Sequence, residues 1–179
     1  RYMISLANTD ERFMHIYQKF RNTVFGIAFN YTKSSADACD IVQDVFIKYI
    51  SNKNTFNSDE HIKAWFIRVT INECKKHMMS SWVRRTVSLE DQTIPYDYGH
   101  EDLELFEAVM SMPLKYRTPI HLHYYEGYSI SEIASLLGAK ESTVKVRLLR
   151  ARKMLKLKLK EVFEDEHQVH LQKNIQQIL

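Results

Sequence analysis

The chain has 179 residues, 25 Lys and Arg against 22 Asp and Glu, a net charge of +3, 45% hydrophobic residues, and only 4 Gly and 3 Pro. That is enough apolar material for packed cores in one domain or two small ones, and the lack of alternating Val/Ile/Thr runs points to a nearly all-α protein. No apolar run approaches the ~18–20 residues that span a bilayer, and no secretory-signal pattern is visible. Cys39 and Cys74 have neither CxxC nor Cys/His ligand spacing, so a reduced, cytoplasmic protein with both cysteines as buried small hydrophobes is expected.

A first helix is predicted over 10–31, where Phe13, Ile16, Tyr17, Phe20, Val24, Ile27, Ala28 and Tyr31 recur at helical spacing. A Ser34–Ser35 cap opens a second helix over 36–51, with Ile41, Val42, Val45, Phe46 and Tyr49 facing inward. Its other face groups Asp40, Gln43 and Asp44; like charges at i,i+4 cost a few tenths of a kcal/mol, tolerable on a solvated face and useful against a basic partner. Residues 52–59 are polar and break the pattern, with Phe56 stranded among them. A third helix follows over 60–83, carrying Ile62, Trp65, Phe66 and Val69 inward.

Residues 84–100 read as a flexible linker, with Pro95, Gly99 and the acids Glu90, Asp91 and Asp97 but no helical period. Helical spacing returns from 101 in Leu103, Phe106, Val109 and Met110, until Pro113 stops it. The next helix is expected over 114–125, where Pro119 is tolerable only near the first turn. Then comes YSISEIASLLGAKESTVKVRLLRARKML, over 128–155. Ser129 and Glu132 make an S-x-x-E capping box. Ile133, Ala134, Leu136 and Leu137 form an apolar face, and Gly138 suits a left-handed helix end. In the helix that follows, Val144, Leu148 and Leu155 are the buried residues. Lys145, Arg147, Arg150, Arg152 and Lys153 must then point elsewhere. Between 140 and 160 nine cations face one acid, Glu141. This is the pattern of a helix-turn-helix with its second helix in a DNA groove, although a basic helix is also often just a solvated face.

Three strings, in order, carry a resemblance. ADACDIVQDVFIKYI, from Ala36, resembles region 2.2 of the extracytoplasmic-function (ECF) sigma factors of the sigma-70 family. HIKAWFIRVTINECKKH, with Trp65 and Asn72, resembles their regions 2.3 and 2.4. PLKYRTPIHLHYYEGYSISEIASLLGAKESTVKVRLLRARKML resembles region 4. The resemblance covers residues 10–157. It implies two small helical domains joined by a flexible linker: sigma region 2 over 1–83, a linker over 84–100, region 4 over 101–160, and a tail over 161–179.

The resemblance implies an alternative sigma factor that binds core RNA polymerase and directs promoter recognition, melting and initiation. It would be a specificity subunit rather than an enzyme, needing no cofactor or metal. Region 2.2 docks on polymerase in this family, which assigns Asp40, Gln43 and Asp44 to that contact. The melted minus-ten strand would be read by Phe56 and Asn72, with Lys75, Lys76, Arg84 and Arg85 near its phosphates. Trp65 falls on the apolar stripe and reads as core. Ser142, Thr143, Lys145, Arg147, Leu149 and Arg150 would meet the minus-thirty-five duplex; sequence does not sort base readers from phosphate contacts among them. An anti-sigma partner is also implied, and the acidic linker is placed to thread polymerase channels that normally hold nucleic acid.

Lys76 stands where the family often has Asp, and Lys140 where Ser commonly precedes the recognition helix, which leaves that N-cap open. The tail has Leu171, Ile175, Ile178 and Leu179 at helical spacing, suiting either a folded-back helix or a disordered end. One rival reading is a helix-turn-helix regulator acting without polymerase, which leaves Asp40–Asp44 and Asn72 idle. Another is an enzyme using His121 and His123, or His167 and His170; neither pair has a third ligand or nucleophile at a convincing spacing.

Overall fold

Serine caps open several of the helices. In the computed structural model, which describes residues 2–52, 55–84 and 103–165 and the side chains of 11–52, 55–80 and 105–159, every regular element is helical. The chain divides into two compact units, Arg1–Thr93 and Ile94–Leu179. No described helix is long and apolar enough to cross a membrane.

The first unit contains α1 (Tyr2–Thr32), α2 (Ser35–Ser51) and α3 (Asp59–Arg84), each packed on the other two. α1 begins eight residues before the expected start at Asp10, since the stretch YMISLANT ahead of it is helical too. It ends through Lys33, whose left-handed φ of 58° lets its N–H reach the Phe29 carbonyl at 2.9 Å. Ser34 then caps α2, accepting the Asp37 N–H at 3.2 Å. The core interleaves Phe20, Val24 and Ile27 with Ile41, Val45 and Phe46 and with Phe66, Ile67 and Ile71. Phe66 stacks on Phe20 with centroids 5.2 Å apart, and Phe46 meets Tyr17 edge-on at 4.8 Å. Val42, Tyr49, Trp65 and Val69 are only half-buried, whereas Ile67 and Ile71 are fully enclosed. The inward face of α3 is thus rotated from the one expected.

The second unit contains α4 (Leu103–Ser111), α5 (Leu114–Ile120), a π-helical turn (His121–Tyr125), α6 (Ile130–Leu137) and α7 (Glu141–Asp165). α4 buries Leu105, Ala108 and Val109, while the expected Phe106 and Met110 are half-buried. Arg117 is 5% exposed and donates from Nη1 to the Met112 carbonyl at 3.0 Å, pinning α5 to the end of α4. Pro119 lies in the second turn of α5, not its first. It removes the N–H that would bond the Lys115 carbonyl, and the helix does not run on to Tyr125 as one α-helix. Instead His121 shares its N–H between the Arg117 and Thr118 carbonyls, and Glu126 closes a wider turn onto the His121 carbonyl at 3.2 Å.

α6 opens with the expected capping box. Ser129 Oγ accepts the Glu132 N–H at 3.4 Å, and the Ser129 N–H donates to Glu132 Oε2 at 2.8 Å. It closes at Gly138 in the left-handed region (φ 63°), with the Ala139 N–H on the Ala134 carbonyl at 2.9 Å. α7 packs on α4, α5 and α6 through Val144, Leu148, Ala151, Leu155 and Leu159. It continues through Asp165, so the first part of the expected tail extends this helix. The linker residues 85–100, with Glu90, Asp91 and Asp97, and the remaining tail 166–179 lie outside the described residues; Arg84, the first expected linker position, closes α3.

Candidate functional site

Three helical faces carry the polar side chains singled out by sequence. On α2, Asp40, Gln43 and Asp44 are all exposed on the side opposite Ile41 and Val45. The same side holds two residues that the sequence reading passed over, Ile47 at 60% and Ile50 at 65% exposure. Their spacing from Gln43 was the available signal: i+4 and i+7 continue one stripe. Cys39 is also exposed there, against the expectation of burial, because it precedes Asp40 on the outward side of the buried Ala38. Acids mixed with bare aliphatic side chains make a surface suited to a protein partner with basic and apolar patches.

The outer stripe of α3 runs Arg68, Asn72, Lys75 and Met79, all exposed, with Met79 at 75%. Asn72 presents an amide with both donor and acceptor capacity, and the cations beside it suit phosphates. Arg68 belongs to this stripe and was missed. Lys76 is exposed as well, 3.9 Å from Glu73, an acid that also pairs with Lys48 of α2. His77 Nε2 lies 3.4 Å from Asp37 Oδ1, a second tie between the two helices. Beneath them Cys74 is fully buried, and burial pushes its thiol up to about 12.

Phe56 is half-buried within an aromatic cluster. Its ring stacks on Tyr49 at 6.1 Å and meets Trp65 and His61 edge-on at 5.8 and 5.6 Å. Trp65 also touches Tyr49 and Phe66, as a shoulder of the core. Asn72 lies two turns beyond Trp65, about 10 Å along α3 at ~1.5 Å per residue, so the structure does not bring Phe56 and Asn72 together. The Arg84 side chain and Arg85 lie outside the described residues.

On α7 the Lys140 carbonyl accepts the Thr143 and Val144 N–H groups at 3.0 and 3.1 Å at the helix start, with Glu141 in the first turn. Ser142, Lys145, Leu149 and Arg150 are exposed, and Thr143 and Arg147 are half-buried flanks of the same side. Val146 and Lys153 share the exposed stripe. Leu149 is 53% exposed in the middle of the cations, an apolar contact available to a thymine methyl. The Arg150 side chain beside Tyr116 of α5 holds that phenol below the ordinary tyrosine range.

His123 Nδ1 is engaged at 2.8 Å by the Tyr128 carbonyl oxygen, and His121 Nε2 lies 3.8 Å from Glu126. Among the described residues no three His, Cys, Asp or Glu side chains converge as a metal-ligand set.

Two family models match the chain in order: Sigma-70 region 2 over residues 16–84 and Sigma-70, region 4 over residues 102–155. The chain is 31% identical over 140 residues to the RNA polymerase sigma factor SigV of Bacillus subtilis, covering 75% of this chain and 83% of that one. It is 26% identical over 162 residues to the ECF RNA polymerase sigma-E factor of Haemophilus influenzae, covering 80% and 85%. Among solved structures it resembles the sigma factor RpoE in complex with the anti-sigma factor NepR from Bartonella quintana, at 26% identity and a TM-score of 0.70, covering 84% of this chain and 98% of that one.

Proposed function

The chain belongs to the sigma-70 family of RNA polymerase sigma factors, in its extracytoplasmic-function group, and on that premise we propose how its three faces divide the work. It binds core RNA polymerase through α2 and directs promoter recognition and initiation. Asp40, Gln43 and Asp44 supply the charge and polar contacts of that dock, and Ile47 and Ile50 supply the apolar area. Asn72, with Arg68, Lys75 and Lys76, holds the melted minus-ten strand. Arg84 and Arg85 continue the basic run toward its phosphates. Phe56, beyond reach of Asn72, meets the same strand at a second, aromatic point while anchoring the loop before α3.

α7 lies in the major groove of the minus-thirty-five duplex through Ser142, Thr143, Lys145, Arg147, Leu149 and Arg150. Residues 1–83 act as region 2, 84–100 as tether and 101–160 as region 4, with 161–179 as a tail that begins on α7. The molecule works in the cytoplasm as a regulatory subunit without catalysis or cofactor of its own. The solved relative was crystallised with an anti-sigma factor, which supports a protein partner of that kind here.

One observation carries this reading: acidic and aliphatic side chains share the outer face of α2, while cations line the outer face of α7. A regulator acting without polymerase would have no use for the first. In-vitro transcription with core polymerase over a randomised promoter library is the test. Enrichment of a two-part promoter is expected; no enrichment with folded protein refutes the proposal.

A further inference from the structure

The two oxygens of the Glu73 carboxylate on α3 face two different lysines. Oε1 accepts a hydrogen bond from Lys48 Nζ of α2, whereas Oε2 stands 3.9 Å from Lys76 Nζ, one turn further along α3. The second spacing is too long for a hydrogen bond. The Glu73 side chain is 11% exposed and that of Lys76 77%, so the acid is enclosed at the contact between the helices while the lysine stands in solvent. Lys76 also follows Asn72 by four residues, so the two project from one side of α3.

A carboxylate withdrawn from water is costly without a counter-charge and takes the nearest cation. His77, the next side chain on α3, faces Asp37 at 3.4 Å, which leaves Lys48 and Lys76 as the cations on Glu73. Lys48 meets the acid directly. The charge of Glu73 is thus answered from α2, and Lys76 keeps its own for an anion outside the protein. With Lys48 gone, the same carboxylate would have Lys76 alone, whose ammonium needs to travel only about 1 Å to reach hydrogen-bond distance. An ammonium captured in that way has to be stripped from an enclosed acid before it can neutralise a phosphate.

We propose that Lys48 is the positioning residue for Lys76: by occupying Glu73 it leaves the Lys76 ammonium free for a phosphate of the melted minus-ten strand, beside the base that Asn72 meets. This rests on the reading that the outer face of α3 holds that strand. It adds a residue of α2 to the DNA-binding apparatus, acting through Glu73 and not by touching DNA.

The test uses the full chain assembled with core polymerase on promoters whose minus-ten segment is left unpaired, with polymerase at a concentration that a separate titration shows to saturate each variant. Lys48→Gln is expected to weaken binding about three- to tenfold and to lower the slope of log affinity against log salt by about 0.7, the worth of one single-strand phosphate. Lys48→Arg keeps the counter-charge and should retain wild-type binding. Adding Glu73→Gln to Lys48→Gln should restore both affinity and slope, since no acid is left to capture Lys76. In a Lys76→Ala background, Lys48→Gln should change nothing. A mere tie between helices predicts otherwise, because Lys48→Gln and the double variant both break it, so a double variant that stays weak overturns the proposal. A Lys48→Gln loss that persists alongside Lys76→Ala marks a general charge effect and overturns it too, as does wild-type binding by Lys48→Gln. If Asn72→Ala, Lys75→Ala and Lys76→Ala all leave binding to the unpaired segment unchanged, the reading of α3 fails and the proposal falls with it.

Discussion

Lys48 on α2 and Glu73 on α3 meet in an ion pair whose acid is only 11% exposed and also lies 3.9 Å from Lys76. The helix that carries the proposed docking face is thereby tied to the helix that carries Asn72. Glu73→Ala should lower the stability of the first lobe by about 1 kcal/mol, between the values for exposed and buried pairs. Thermal unfolding followed on that lobe checks this; a midpoint equal to wild type would mean the pair contributes nothing.

Ile47 is a bare side chain on the proposed polymerase dock. Ile47→Ala should leave stability within about 0.5 kcal/mol and reduce affinity for core polymerase about tenfold or more. Asp40→Lys should do the same by charge reversal. Titration of labelled sigma with core polymerase separates this from a fold defect.

The α6 capping box makes a pH prediction. The Ser129 side-chain hydrogen bond, then the Ser129 N–H, holds the Glu132 carboxyl below its ordinary value. Its contribution is therefore whole above the unfolded-state pKa and is lost as pH falls through the folded-state one. The second lobe should lose stability in acid, and Glu132→Gln should flatten that part of the profile. Ser129→Ala should cost about 1 kcal/mol at neutral pH.

The two cysteines should behave differently. A thiol alkylating reagent at neutral pH should modify Cys39 alone in the native protein and Cys74 only after denaturation, as peptide mass mapping would show. Burial favours the neutral Cys74 thiol in the fold, so its contribution is intact below the ordinary cysteine value of 9.0 and is lost as pH rises toward about 12. Rapid native labelling at Cys74 would contradict the packing described for α3.

Gly138→Ala isolates backbone strain. An added Cβ would meet nothing within 4 Å, so the expected loss of about 1 kcal/mol comes from the left-handed φ of 63° alone. Denaturant titration reads it directly.

What the sequence disclosed was local. The Ser34 and Ser129 caps, the Gly138 turn and the Val144–Leu148–Leu155 seam are written in neighbouring residues and a single period, and they appear where that grammar puts them. Contacts between helices were not legible. Nothing in the spacing of Lys48 and Glu73 says that they meet. Phe56 looked stranded because its partners Tyr49 and Trp65 lie on two different helices. The faces of α3 and α4 drifted by about one position because several apolar side chains compete for each stripe and packing chooses among them. The α2 face was half-read: the charged residues stood out, while Ile47 and Ile50 on the same stripe were passed over.

The wide turn over His121–Tyr125 has a consequence for how this lobe accommodates length changes. A π turn holds one residue more than an α turn, so removing a residue there would leave an ordinary turn with both flanking segments still in frame. The same deletion early in α7 would swing every later side chain of that helix through about 100°, moving the seam of Leu148 and Leu155 into water. The segment leading into the helix-turn-helix is where the chain can lose a residue without re-aiming α7.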